Sequence, residues 1–163
     1  MESGLTMEFK LTDPVIEVKY PYTGIQKKFI RDLETTEEPQ TKGRLHRLIE
    51  SSHDPKKHPI GFCCLGRIYI LIKAKGELSE HNTVMAYNSS SGALTESVRR
   101  KFKLNGNLGE FSHNHSTATV VVTKNDKTYH ATSLADLNDG AELTFKEIAR
   151  FIKQYPYLLF NNI

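Results

Sequence analysis

The sequence predicts an α+β fold: a single domain over residues 1–163, with a mainly antiparallel β-sheet, two short N-terminal helices and one C-terminal helix. Three observations carry that expectation. Apolar residues recur at helical spacing near the front of the chain and again near its end. The stretch between them is rich in strand-like runs. A hairpin signal, Asn125-Asp126, separates TATVVVT from KTYHATSL.

Taken in order, Met7, Phe9 and Leu11 alternate, and Ile16, Val18 and Tyr20 alternate again after Asp13-Pro14. Two short strands, or one interrupted edge strand, are expected before Pro21. Ile25, Phe29, Ile30 and Leu33 fall at helical spacing, with Lys27, Lys28 and Arg31 in the outer positions. Leu45, Leu48 and Ile49 predict a second short helix whose exposed side carries Lys42, Arg44 and Arg47. SSHDPKKHP reads as a loop, because Pro55 and Pro59 disfavour helix and the rest is polar.

IGFCCLGRIYILIKAK has apolar residues on both alternations, the pattern of a central strand covered on both faces. A strand is expected over 83–87, a turn over 88–92, and a further strand in SVRRKFKL, where Val98, Phe102 and Leu104 can share one side. The last element has the clearest start. Thr144 and Glu147 fit a capping box, Leu143 and Ile148 a hydrophobic staple, and Phe145, Ile148, Ala149 and Ile152 a buried stripe. Pro156 limits that helix, and the tail YLLF is expected to dock on the core.

Composition bounds the function. A chain of 163 residues can bury a core without disulfide or metal support. With 25% charged and 38% apolar residues it suits a soluble globular protein rather than a disordered or membrane-spanning one. The longest apolar run, Ile60 to Ile72, is broken by Gly61, Gly66 and Arg67 and falls short of the roughly 20 residues a spanning helix needs. MESGLTMEFK lacks the basic head and apolar segment of a signal peptide. Cys63 and Cys64 are adjacent, a poor geometry for a mutual bond, and read as reduced core residues. A cytoplasmic or nuclear protein, not a secreted one, is therefore expected.

No G-x-G-x-x-G or Walker-type sequence occurs, and no cofactor is expected. Nor is a metal: His53, His58, Cys63 and Cys64 cluster in sequence without the short paired spacing of a zinc site, and His113-x-His115 is a weaker pattern still. His46 and His130 read as ordinary helix and strand residues.

The histidines nevertheless carry one pattern with chemistry in it. His81-Asn82-Thr83 and His115-Ser116-Thr117 both read H-x-T. On a strand, positions i and i+2 share a face, so each pair can aim an imidazole and a hydroxyl at one phosphate. Two facing pairs would supply a general base, a general acid and neutral donors for phosphodiester cleavage. The arrangement resembles the paired H-x-[ST] motifs of the two-histidine phosphoesterases. That resemblance, carried by these six residues alone, implies a metal-independent phosphoesterase acting on a phosphodiester or nucleotide through His81, Thr83, His115 and Thr117.

The cations carry the main expectation. The net charge is +3 with seven histidines uncounted, and the pI is about 8.8. Lys27, Lys28, Arg31, Lys42, Arg44, Arg47, Lys56 and Lys57 form one basic stretch, and Arg99, Arg100, Lys101 and Lys103 a second. If folding joins them, the patch can hold nucleic acid or an acidic membrane surface through phosphate contacts, without a base code. The expectation is a non-enzymatic binding or assembly protein that meets an anionic partner through these residues and another protein, or a second copy of itself, through apolar or edge-strand surface. In general character alone such a chain resembles small viral matrix or accessory proteins.

Overall fold

The computed structural model describes residues 4–48, 61–79, 84–87 and 90–162. The first strand, β1 (Thr6–Lys10), turns Phe9 into the core. The alternation of Ile16, Val18 and Tyr20 finds no ladder. Residues 14–23 run without helix or strand, Val15 and Ile16 stay 55% and 63% exposed, and the Val18 N–H donates to the Lys153 carbonyl at 3.0 Å.

Helix α1 (Gly24–Thr35) forms as its spacing predicts. Thr23 and Gln26 make a capping box at its start, and Phe29, Ile30 and Leu33 are buried along one face. The predicted second helix does not form. Leu45 is fully buried, but its N–H donates to the Ser91 carbonyl, and His46–Arg47 is a strand, β2. A single turn of helix cannot offset its own nucleation, whereas a sheet neighbour supplies backbone partners at once. Those partners are β3 (Gly61–Phe62) and, later, a strand over Val84–Tyr87.

The expected central strand is the largest correction. After β3 the chain turns at Cys63–Leu65 and enters helix α2 (Gly66–Leu71). A run with apolar residues on both alternations shows no strand period, so a buried helix satisfies it as well as a strand. Gly66 permits the turn: a Cβ there would sit 1.9 Å from the Leu45 carbonyl oxygen. Strands β4 (Gly76–Ser79) and β5 (Val84–Tyr87) follow, giving an antiparallel sheet in the order β3-β2-β5-β4.

SVRRKFKL is also a helix rather than a strand. In α3 (Glu96–Lys101), Glu96 lies in the first turn and Arg99, Arg100 and Lys101 in the last, the charge order a helix dipole favours. Val98 and Phe102 still share a buried side, four residues apart. Next come the small hairpin β6 (Ser112–His113) and β7 (Ser116–Thr117), then β8 (Thr119–Lys124) and β9 (Lys127–Ala131). β8 and β9 are the predicted hairpin. Asn125 and Asp126 both take positive φ, at 53° and 62°, which closes it in two residues. β1 lies parallel to β8 with Phe9 opposite Val122, the one parallel ladder among the described strands.

Helix α4 (Leu134–Asp139) was hidden behind a strand reading that ran to Leu134; Ser133 caps it by accepting the Asp136 N–H. α5 (Phe145–Gln154) carries the predicted Thr144–Glu147 box and buries Phe145, Ile148, Ala149 and Ile152. That helix ends at Gln154, just short of Pro156 as expected, and Pro156 also opens a further helix, α6 (Pro156–Leu159), which buries Leu158 and Leu159. Phe9, Phe111, Phe151 and Tyr155 interlock between β1 and α5, with Phe9 and Phe151 edge to face at 5.3 Å. The α+β architecture with mainly antiparallel sheets is thus the observed one.

Candidate functional site

The outer face of α1 follows from its periodicity. With Gln26, Phe29, Ile30 and Leu33 buried, Lys27, Lys28 and Arg31 are left exposed. The acids of the same helix do not neutralise them, because each is drawn to another element. Asp32 takes a two-pronged salt bridge from Arg67 of α2, both contacts at 2.8 Å. Glu34 takes Lys153 of α5 at 2.5 Å. Helix α1 therefore presents cations outward and hands its carboxylates inward.

Gln26 joins this helix to the second basic cluster. Its amide donates to the Phe102 carbonyl at 2.8 Å, and the Phe29 and Phe102 rings meet edge to face at 6.0 Å. Lys101 and Lys103 flank Phe102 and are exposed. None of Lys27, Lys28, Arg31, Lys101 and Lys103 forms an ion pair with a described residue. The structure thus places five of the predicted cations on two adjoining elements.

The others are placed differently. Arg99 and Arg100 both bind Glu96, and those bonds hold the Glu96 carboxyl below its ordinary range. Lys42 binds Glu142 at 2.5 Å, Arg44 donates to the Gly43 carbonyl and Arg47 to the Lys42 carbonyl. Lys56 and Lys57 lie outside the described residues, as do His53, His58, His81, Thr83 and the expected turn start at 88–89.

His115 corrects the shared-face expectation. It stands in the two-residue turn between β6 and β7, where Asn114 and His115 have φ of 49° and 63°. A turn residue does not share a strand face with Thr117; both are exposed. His113 reaches Asn114 at 3.2 Å. The thiols offer no nucleophile: burial pushes Cys63 up to about 12 and Cys64 well above its ordinary value. Among the described residues, no group of three or more His, Cys, Asp or Glu side chains is placed to hold a metal. No described helix is long and apolar enough to cross a membrane.

One constellation escaped the sequence entirely. The segment Gln40–Gly43 packs on the α4–α5 connection through a buried amide pair. Asn138, 2% exposed, accepts from Gln40 and the Cys64 N–H and donates to the Thr41 carbonyl and Asp139. Gln40 gives its second hydrogen to the Leu143 carbonyl. Above this network lies a cavity of about 200 Å³ between Gln40, Lys42, Glu142 and Thr144. The four amide hydrogens of Gln40 and Asn138 all have acceptors, two of them backbone carbonyls, so the network serves first as the joint between loops far apart in sequence. Nothing in the spacing of Asn138 along the sequence pointed to Gln40.

No curated protein and no solved structure matches the chain. A family model matches residues 23–156, from the cap of α1 to the first residue of α6. That span is most of the chain, which therefore belongs to the family described as Domain of unknown function (DUF8296).

Proposed function

We propose that this protein is a binding protein that grips the phosphate backbone of a nucleic acid with the face formed by α1 and the end of α3. One observation carries the reading: Gln26 and Phe102 dock two basic segments side by side while Asp32 and Glu34, the acids of α1, are consumed by Arg67 and Lys153. Unpaired cations on neighbouring elements are what sequence-independent phosphate binding requires.

A membrane surface is the weaker partner for the same face. An acidic membrane can attract such a face by charge alone, but stable anchoring adds an apolar side inserted into the lipid, and the apolar side of α1 is spent in the core. What it offers outward is charge.

The test is an anisotropy titration of fluorescein-labelled oligonucleotides over a sodium chloride series, with phosphatidylserine vesicles in parallel. The log of affinity should fall linearly with the log of salt. Neutralising Lys27, Lys28, Arg31, Lys101 and Lys103 to Gln should reduce the slope by roughly 0.7–0.9 for each phosphate contact removed. Neutralising Lys42, already held by Glu142, should leave it almost unchanged. Vesicle binding without oligonucleotide binding would overturn the proposal.

A further inference from the structure

Beside the start of α1 the chain folds a cleft of about 410 Å³ lined by Glu17, Val18, Lys19, Tyr20 and Tyr22. That volume is in the range of small-ligand sites, about 300–1,000 Å³. Two of its five walls are aromatic. The Tyr20 and Tyr22 rings are 5.0 Å apart and tilted by 59°, each half-buried, and Phe160 backs both at 6.2 and 6.1 Å.

Hydrogen bonds tie the cleft wall to the two basic segments through Gln26. Tyr20 donates to the Phe160 carbonyl, Asn162 donates to the Pro21 carbonyl and exchanges amide hydrogen bonds with Gln26, and Gln26 holds Phe102. Tyr22 directly precedes Thr23, the cap of α1, one turn below Lys27. Tyr20, Tyr22, Phe160 and Asn162 all lie outside residues 23–156, so the segments flanking the family region meet at this corner.

We infer that the preferred partner is single-stranded nucleic acid, with an unpaired base lodged against Tyr20 and Tyr22 while the adjoining phosphates lie on Lys27, Lys28 and Arg31. This rests on the proposed phosphate-binding face and adds the element that a duplex cannot use. Stacked bases are closed to a side chain within a duplex, whereas a single strand gives each base's flat face to an aromatic ring. Interleaving of rings and cations is the arrangement by which such strands are held without a sequence code. Lys19 in the cleft wall complements the strand's charge, and Glu17 stands as an acceptor for an exocyclic amine.

The Tyr22 hydroxyl is buried with no hydrogen-bond partner among the described residues, which supplies a control on folding. Tyr22→Phe removes an unsatisfied group and keeps the ring, so it should fold at least as well as the parent and reports on folding at this position. Tyr22→Leu keeps apolar packing on Phe160 and removes the ring.

The experiment compares three fluorescein-labelled 12-mers with the full chain: a mixed-sequence single strand, the same strand with abasic sites, and its duplex. The single strand should bind more tightly than the duplex, and Tyr22→Leu or abasic substitution should weaken it by about 5- to 160-fold, the usual share of a stacked base. The salt slope should stay the same. Equal affinity for strand and duplex, with no loss on Tyr22→Leu or on abasic substitution, would overturn the inference and leave the phosphate-binding face standing. Absence of salt-sensitive binding to any of the three would bring down that face as well. If Tyr22→Leu does not fold, the abasic comparison on the parent protein decides alone.

Discussion

Removing the carboxylate of Asp32 is the sharpest perturbation this fold offers. The Arg67 side chain is 9% exposed and Asp32 15%, their two contacts are both 2.8 Å, and the guanidinium carbon lies 4.9 Å from the centre of the Phe62 ring. The hydrogen bonds that Arg67 donates to Asp32 raise the guanidinium pKa, and because its ordinary value is already high Arg67 stays charged in Asp32→Asn even without them. Breaking a buried pair by removing one partner costs about 3–5 kcal/mol. Asn keeps the shape and one acceptor, which puts the expected loss near the lower end, about 3 kcal/mol. For a chain of this size each kcal/mol moves the melting midpoint by roughly 2–4 °C, so Tm should fall by about 6–12 °C. Urea unfolding followed by far-UV circular dichroism at pH 7 measures the loss. The double variant Asp32→Leu with Arg67→Met should regain most of it, because apolar side chains of similar volume replace a buried pair at little cost. A loss under about 1 kcal/mol, the range of solvent-exposed pairs, would refute the view that Asp32 is locked inward.

Three further outcomes follow from the structure. Glu142 holds φ of 56°, a conformation that costs a side-chain-bearing residue about 1–2 kcal/mol and glycine nothing, and its ion pair with Lys42 is largely exposed. Glu142→Gly should leave urea stability unchanged or raise it by about 1 kcal/mol, and a loss beyond that would show the pair to be stronger than its exposure allows. Burial holds His46 below its ordinary 6.5, with Arg67 adding to the effect and Glu38 opposing it. The folded state then binds this proton less readily than the unfolded chain, so the contribution is complete above pH 6.5 and is lost as pH falls through the lower folded value. His46→Phe should flatten the urea midpoint between pH 7 and 5; an unchanged decline would place the titration elsewhere. With both thiols buried and raised, Cys63 and Cys64 should resist Ellman's reagent at pH 8 in the native protein and react together in denaturant.

What the sequence made legible was what repeats locally. Helices α1 and α5 are long enough to show a period and carry their own caps at Thr23 and Thr144, and the β8–β9 hairpin is announced by two turn residues that tolerate positive φ. The segment from Gly61 to Leu71 defeated the same reading because its apolar residues fall on both alternations around Arg67, and α3 because six residues of helix and of strand place Val98 and Phe102 on one side alike. The cations could be seen, but their partners could not. Asp32 meets Arg67 across 35 positions and Gln40 meets Asn138 across 98, so which charges remain unpaired is decided only after packing.

The central claim concerns location, and a chemical-shift map measures location. In ¹H–¹⁵N spectra of the full chain titrated with a single-stranded 12-mer at low salt, the account predicts perturbations along residues 19–31 and 99–104 that vanish on raising the salt. Perturbations confined to the Gln40–Thr144 cavity or to the β6–β7 turn, with α1 silent, would contradict it.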